Sequence, residues 1–370
     1  MDGVILKAQN NDFNKGIKSF LLSGLKNGVF DSFILSMQVP AKDSYAWILT
    51  YDEGLVKSST PISPIMTVQG ARALKSLRTG TPTQKIAVVM RPCEMRAVIE
   101  LSKLNQINLN DLILISYDCP GTLPIKNYLE DPEKGEEVFN KILLDWDDKN
   151  IRETCKLCDK VSVQEEKTFQ SDLHITTLGI EQNNFAIISN SEKGIEILNE
   201  LKLEIKNLSS RDEPVKKIIE TRRKNRENSR KELIPQLIGL DALSEFFSKC
   251  INCKVCRSVC PICYCRQCYF SSEKVKYSME DYLLQASTRG NMKFLPSLLF
   301  QVGRMTHMSL SCVNCGACED ACPMDIKVGQ AFSYVGDNVQ KLFDYLPGRS
   351  FEEPLPLSVY REEEFKEIEN

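Results

Sequence analysis

Two runs of cysteine residues constrain the fold of this chain more than any other feature of its sequence. One run occupies Cys250–Pro261 and the other Cys312–Pro323, and both have the pattern C-x2-C-x2-C-x3-C-P. This pattern is typical of bacterial ferredoxins, in which the fourth cysteine of a run binds the neighbouring [4Fe–4S] cluster. The spacing therefore predicts two clusters. Their predicted ligands are Cys250, Cys253, Cys256 and Cys322 for one, and Cys312, Cys315, Cys318 and Cys260 for the other.

The main alternative for these cysteines is zinc, because C-x2-C pairs also bind that metal. Two complete runs favour iron–sulfur clusters, and so do their terminal prolines, Pro261 and Pro323. Proline disfavours helix at the preceding residue, so the fourth cysteine leaves its loop at a fixed angle. The sequence thus predicts a protein that carries electrons.

The chain has 370 residues and fifteen cysteines, but it is not typical of a secreted disulfide scaffold. Such scaffolds are short and follow a signal peptide, and residues 1–10 have neither a basic region nor a long apolar run. No apolar stretch approaches the ~18 residues of a membrane span. The net charge of −3 gives no reason to expect nucleic-acid binding. We expect a cytoplasmic protein of an anaerobic cell, without a transmembrane segment.

The fold class predicted for residues 1–205 is an α/β domain, a mixed sheet with flanking helices. Short apolar runs alternate there with helical patterns, which is typical of such layered domains. The helical patterns are 14–26, 70–78 and 94–104, whereas residues 130–170 are polar and poorly periodic. The predicted strands are Phe33–Val39, Ala46–Tyr51, Ile86–Met90, Leu112–Tyr117, His174–Gly179 and Phe185–Ser189.

A mostly helical domain that resembles a two-cluster ferredoxin is predicted for residues 236–345. Its spacer between Cys260 and Cys312 contains helical patterns at 279–287 and 294–303. Residues 206–235 are predicted as a charged helical linker, a solvated helix rather than a basic arm, because acidic residues are mixed with the basic ones. Residues 346–370 are predicted as an acidic tail.

Seven cysteines lie outside the eight predicted ligands. Cys93 and Cys119 follow predicted strands, and Cys155 and Cys158 form a C-x2-C pair, so these four could meet as a third cluster, a structural zinc site or separate buried thiols. The spare-thiol interpretation is favoured over an added metal for Cys263, Cys265 and Cys268. His174 and His307 are predicted to be structural rather than catalytic.

Three segments of the first domain carry a family resemblance. They are 91–97 (Arg-Pro-Cys-Glu-Met-Arg-Ala), 118–122 (Asp-Cys-Pro-Gly-Thr) and 155–159 (Cys-Lys-Leu-Cys-Asp). They resemble the coenzyme F420 hydrogenase/dehydrogenase beta-subunit family, in which ferredoxin runs usually precede the flavin domain rather than follow it. The resemblance implies that Cys93, Cys119, Cys155 and Cys158 bind a [4Fe–4S] cluster. It also implies FAD beside that cluster, exchanging hydride with coenzyme F420 or a related two-electron carrier.

The resemblance implies an oxidoreductase subunit that is active only with partner subunits. Those partners would be catalytic formate dehydrogenase, hydrogenase or heterodisulfide-reductase-type subunits. The alternative is an electron-wire subunit without hydride chemistry, whose α/β domain only docks partners. A flavin pyrophosphate needs hydroxyls, backbone N–H groups and a basic partner. The residues predicted to supply these contacts are Thr60, Ser63, Thr67, Arg91, Arg96 and Lys126.

Overall fold

A mixed sheet occupies the first half of the protein in a computed structural model, which describes residues 2–77, 85–164, 168–275, 278–290 and 297–359. The strand order, for the residues described, is β3-β2-β4-β5-β6-β7-β1-β8. The steps from β2 through β4 and β5 to β6 are parallel, and the other pairs are antiparallel. The strands are β1 (Asp2–Lys7), β2 (Ser32–Gln38), β3 (Tyr45–Thr50), β4 (Ile86–Met90), β5 (Leu112–Tyr117), β6 (Leu173–Thr176), β7 (Asn184–Ser189) and β8 (Ile205–Asn207).

The two central strands determine where functional side chains gather. β4 and β5 are buried along their whole length, as expected for parallel strands covered on both faces. They pair in parallel from Ile86 with Leu112 to Met90 with Ser116. Their carboxyl ends therefore lie side by side, and the segments that begin at Arg91 and Asp118 leave the same edge of the sheet.

Helices flank the sheet, and the described residues from 212 onward form helices joined by loops. Several helices begin at side-chain caps, as where Asp131 accepts a hydrogen bond from the backbone of Lys134. The helices are α1 (Phe13–Lys26), α2 (Glu53–Ser58), α3 (Gly70–Leu77), α4 (Pro92–Lys103), α5 (Ile125–Glu130), α6 (Pro132–Asp145), α7 (Glu153–Lys156), α8 (Glu192–Glu200), α9 (Asp212–Leu237), α10 (Leu240–Phe246), α11 (Val255–Val259), α12 (Met279–Arg289), α13 (Ser297–Met308), α14 (Ala317–Asp320) and α15 (Val328–Leu342).

One continuous apolar core joins the sheet to the helical half. Val88 of β4 and Val98 of α4 belong to the same buried cluster as Ile262, Met305 and Phe332. The cysteine-bearing loops are therefore packed against the sheet and its helices.

The charged helix α9 is more than the solvated linker that its composition predicts. Arg222 is buried and donates to the carbonyl of Pro120 at 2.5 Å, while Arg230 pairs with Asp337 of α15. Because one face of α9 binds the Cys119 loop and α15, it clamps the two halves together.

The predicted fold class is confirmed, with local differences. The sequence patterns missed β1, the edge strand β8, and α6, which lies in the segment predicted to lack periodicity. The predicted acidic tail is anchored at its start, since Gly348 donates its backbone N–H to Glu100. Residue 78, residues 294–296 and tail residues 360–370 lie outside the described part, and the domain boundaries stay predictions. No helix within the described ranges is long and apolar enough to cross a membrane.

Candidate iron–sulfur centres

Three cavities lined by cysteines lie in the protein. The outer cavity is lined by Cys250, Cys253, Cys256 and Cys322, and the middle cavity by Cys260, Cys312, Cys315 and Cys318. The inner cavity is lined by Cys93, Cys119, Cys155 and Cys158. The fourth cysteine of each run thus lines the cavity formed by the other run. Within the described residues, no three Cys, His, Asp or Glu side chains converge closely enough to hold a single metal ion.

The two ferredoxin runs adopt the same loop conformation. Asn252 and Asn314, which precede the second cysteine of each run, have φ of 56° in both loops. Lys254 and Gly316, which follow that cysteine, have φ of 61° and 71°. Left-handed backbone of this kind is cheap for glycine and tolerated by asparagine. These turns let three thiols of one loop face a common cavity.

The inner cavity is assembled at the carboxyl edge of the sheet. Cys93 lies in the first turn of α4 directly after β4, and Cys119 follows β5. The backbone N–H of Cys119 donates to Val161, and that of Arg152 donates to Thr122 at 2.8 Å, which brings Cys155 of α7 and Cys158 of the following turn over the strand ends. The segments that follow two adjacent parallel strands, together with α7 and its following turn, thus supply all four thiols.

A buried polar network fixes the start of the Cys119 loop. The carboxylate of Asp118 contacts His174 Nε2 at 2.8 Å and accepts hydrogen bonds from Thr176 and from the backbone of Thr177. Burial would raise the pKa of Asp118, but the hydrogen bond with His174 and the nearby Arg211 lower it below its ordinary value. His174 is fully buried, and burial lowers its pKa despite Asp118. His174 thus holds the loop in place, whereas His307 is exposed.

Arg152 connects the inner and middle cavities. Its guanidinium lies 3.4 Å from Cys155 Sγ, donates to the carbonyl of Cys315 at 3.0 Å and pairs with Asp320 at 3.4 Å. Burial would raise the pKa of Cys155, but the charge and hydrogen bond of Arg152 lower it, which favours the thiolate form that binds iron. Cys315 and Asn314 line both cavities, so these cavities are direct neighbours.

Arg304 has a similar place between the outer and middle cavities. Its Nη1 lies 3.1 Å from Cys256 Sγ, and its Nη2 donates to the Cys256 carbonyl at 3.2 Å. Arg304 also lines the middle cavity. The sequence prediction missed both arginines, because neither forms part of a cysteine run and their contacts arise only in the fold.

The structure does not gather the six predicted flavin contacts into one site. Arg91 is buried and donates to the carbonyls of Ser63 and Ile65 at 2.7 and 3.0 Å, since a buried guanidinium needs acceptors. It therefore fixes the 60–67 loop, in which the Thr67 hydroxyl donates to the Tyr45 carbonyl. Thr60 lies in the same loop, where its backbone N–H donates to Ser36.

The other two predicted contacts lie elsewhere. Lys126 forms a surface ion pair with Asp325. Arg96 donates to the carbonyls of Pro347 and Val313 and lines a cleft of about 980 Å³, a volume that includes the open mouth. Cys158 of the inner cavity also lines this cleft. The cationic side chains of the cleft are Arg96, Lys160, Arg226, Lys341 and Arg349, and its carboxylates are Asp159, Asp337 and Asp344.

The three remaining cysteines line none of the three thiol cavities. Cys263 lies beside the middle cavity, with its sulfur 3.2 Å from that of Met308. A hydrogen bond from the Cys263 thiol lowers the pKa of Cys260 below its ordinary value. Cys265 is exposed, and Cys268 packs against the cluster of Cys256, Phe270 and Phe300.

Comparison with known proteins gives the same assignment for the cysteine runs. Residues 246–326 match the family described as a 4Fe-4S dicluster domain. The F420-dependent formate dehydrogenase subunit beta of Methanocaldococcus jannaschii is 29% identical to this chain, with 72% of this chain and 74% of that protein aligned. The F420-dependent formate dehydrogenase 1 subunit beta of Methanococcus maripaludis is 28% identical, with 89% of each aligned.

The predicted family resemblance is confirmed. The chain is similar to these beta subunits over most of its length, and its C-terminal half carries the dicluster domain of an iron–sulfur electron-transfer protein. A chain of the F420-reducing [NiFe] hydrogenase complex from Methanosarcina barkeri superimposes with a TM-score of 0.47 and 10% identity, over 65% of this chain and 94% of that one.

Proposed function

We propose that this chain is an electron-transfer subunit of an F420-linked oxidoreductase, with three [4Fe–4S] clusters. The observation that carries the proposal is the row of three cavities, each lined by one predicted set of four cysteines, in which adjacent cavities share residues or a buried arginine. Cys315 lines both the middle and the inner cavity and is assigned to the middle cluster with the rest of its run. The proposed ligands are Cys250, Cys253, Cys256 and Cys322 for the outer cluster, Cys260, Cys312, Cys315 and Cys318 for the middle cluster, and Cys93, Cys119, Cys155 and Cys158 for the inner cluster. The relatives' names support the link to F420-dependent formate dehydrogenase.

The two ends of the row have different surroundings, which supports a direction along it. At the outer cavity Cys253 is exposed, and its neighbour Ile251 is 61% exposed. We propose that the catalytic formate dehydrogenase, hydrogenase or heterodisulfide-reductase-type partner docks at this end. The inner cavity, by contrast, adjoins the large cleft through Cys158.

We propose this cleft as the seat of FAD. FAD would supply the exchange between hydride, which carries two electrons, and the single electrons that clusters transfer. The cleft beside Cys158 is lined by five cationic side chains and three carboxylates, an excess of positive charge that favours a dinucleotide. Arg96 is the one predicted flavin contact that lies there, and its guanidinium would contact the pyrophosphate, whereas Arg226 is engaged by Asp159 and Asp337.

The flavin proposal is tested by anaerobic reduction of the purified protein with F420H2, NADH and NADPH in parallel. We expect FAD to be released on denaturation and F420H2 to bleach the flavin absorbance. Flavin bleaching by NADH or NADPH but not by F420H2 would support the proposed flavin and contradict F420 as the hydride carrier. A purified protein that contains iron and sulfide but no flavin would contradict the flavin proposal and support the electron-wire alternative.

A Cys119→Ser variant separates hydride chemistry from electron transfer. It removes one thiol of the inner cavity and leaves the cysteines of the other two cavities unchanged. We expect F420H2 to bleach the flavin still, while the middle and outer clusters are no longer reduced at the wild-type rate. Cys265→Ser is the matched control, because Cys265 is exposed and lines none of the cavities. Equal cluster reduction in both variants would contradict the proposed route.

A further inference from the structure

The two arginines between the cavities each carry an unpaired hydrogen-bond donor. Arg152 and Arg304 are 4% and 3% exposed. Among the described residues, the Nε–H of each has no hydrogen-bond acceptor, although the other guanidinium nitrogens are engaged. Buried polar hydrogens nearly always have a partner in native proteins. Two such orphans, both beside thiol cavities, indicate acceptors within those cavities.

The charges of the two arginines support the same interpretation. Arg152 pairs with Asp320, whereas the partners of Arg304 in the described part of the chain are Cys256, Gln301 and two aromatic rings rather than a carboxylate. Its guanidinium lies over the Phe332 and Phe300 rings, at 4.7 and 5.7 Å from their centroids. A buried cation without a partner is very unfavourable, so it requires a negative group nearby. The cysteine sulfurs around it would supply this negative charge when they bind a cluster.

We propose that Arg152 donates N–H hydrogen bonds to sulfurs of the inner cluster, and that Arg304 donates them to the outer cluster at Cys256 and to the middle cluster whose cavity it lines, and that both arginines raise the reduction potentials of these clusters. The inference rests on the proposed function, because it requires clusters in these cavities. Reduction adds negative charge to a cluster, and a fixed cation with N–H donors stabilises the reduced form more than the oxidised one. The two arginines would thus raise the potentials of different parts of the row, Arg152 at its inner end and Arg304 between its middle and outer sites.

The experiment is an anaerobic redox titration of the full chain, followed by electron paramagnetic resonance of each cluster signal. Arg152→Gln and Arg304→Gln are each other's matched controls, since both remove one buried guanidinium. We expect the largest downward shift to fall on a different signal in each variant. At a fixed potential the reduced-to-oxidised ratio of that signal should fall roughly tenfold, as hydrogen bonds to charged groups are at least this strong. Tenfold corresponds to 59 mV for a one-electron couple.

Other results would overturn the inference. The inference is contradicted if the largest shift in potential falls on the same signal in both variants, or if every signal shifts equally. It is also contradicted if no signal shifts although the variants keep their full iron content. Loss of all iron from the wild-type chain would instead reject the proposed function. If a Gln variant fails to fold, the Lys variant replaces it, because lysine keeps the charge but lacks Nε–H and the planar fork. Because the lysine ammonium still donates N–H hydrogen bonds, a Lys variant with an unchanged potential would refute a specific role of the arginine Nε–H and leave the positive charge as the cause.

A second readout is independent of potential. In protein labelled with 15N-arginine, the inner and outer cluster signals should show weak nuclear coupling to nitrogen. Arg152→Gln should abolish the coupling of one signal and Arg304→Gln that of the other. Absence of any coupling in the labelled wild-type protein would contradict direct hydrogen bonding.

Discussion

The substitution Gly316→Ala tests whether the middle-cavity loop packs directly against the inner-cavity helix. A Cβ at Gly316 would lie 2.1 Å from Thr154 Oγ1 and 2.8 Å from Thr154 Cβ, far inside ordinary contact. Its φ of +71° adds backbone strain of about 1–2 kcal/mol for an L-residue. Overpacking adds about 1–3 kcal/mol. We therefore expect local destabilisation of about 2–5 kcal/mol from the two terms together.

Gly28→Ala is the matched control, because Gly28 has φ of +70° and nothing within 4 Å of the added Cβ. The stability of this variant should fall only by the backbone strain of about 1–2 kcal/mol. Amide exchange measured by mass spectrometry reports the difference locally. Peptides covering 153–158 and 312–318 should exchange about thirtyfold to a few thousandfold faster in Gly316→Ala than in the wild type, since 1.4 kcal/mol is tenfold. In Gly28→Ala, amide exchange in the segment around Gly28 should accelerate by a smaller factor.

The double variant with Thr154→Ala sharpens the test. It removes Thr154 Oγ1 and Cγ2 but leaves Cβ at 2.8 Å, so it should restore part of the protection and not all of it. If Gly316→Ala behaves like Gly28→Ala, the two loops are not in contact and the adjacency of the inner and middle cavities is wrong.

Two further predictions concern buried groups. Arg91→Gln should lower the free energy of unfolding by about 3–5 kcal/mol, because it leaves the buried Glu94 without its cation. Arg349→Gln, which breaks a partly exposed ion pair, should lower it by at most about 1 kcal/mol. Equal denaturation midpoints for the two variants would contradict the structural role of Arg91. Burial lowers the pKa of His174 in the folded protein below the ordinary value of about 6.5. As the pH falls below about 6.5, His174 therefore binds a proton in the unfolded chain before it does so in the folded one. The free energy of unfolding then falls by up to ~1.4 kcal/mol per pH unit. His174→Gln should flatten this slope between pH 7.5 and 5.5, and an unchanged slope would show that other groups cause it.

The sequence alone indicated how the cysteines would group. The ferredoxin spacing predicted crossed sharing of Cys260 and Cys322, and the structure places each beside three thiols of the other run. Cys93 and Cys119 follow buried apolar strands, and parallel pairing brings such strand ends together. Whether these thiols bind iron stays a prediction.

Contacts between distant segments could not be predicted from local patterns. Arg91 stands at the end of β4, but only the fold shows that its side chain turns toward Ser63 rather than into a ligand site. Arg304 lies in an ordinary helical pattern, and its approach to Cys256 depends on how α13 packs. β8 is exposed along its length, so it has no burial pattern to detect. The period in α6, with Phe139, Ile142 and Leu143 buried, was present in the sequence and was missed.

The central claim is that the chain holds three clusters, and anaerobic iron and acid-labile sulfide analysis tests it most directly. Four irons per cubane predict ~12 iron and ~12 sulfide per chain. Cys119→Ser should lower both to ~8, while Cys265→Ser should retain ~12. A wild-type value near eight would contradict the inner cluster, and zinc without sulfide would contradict the whole account.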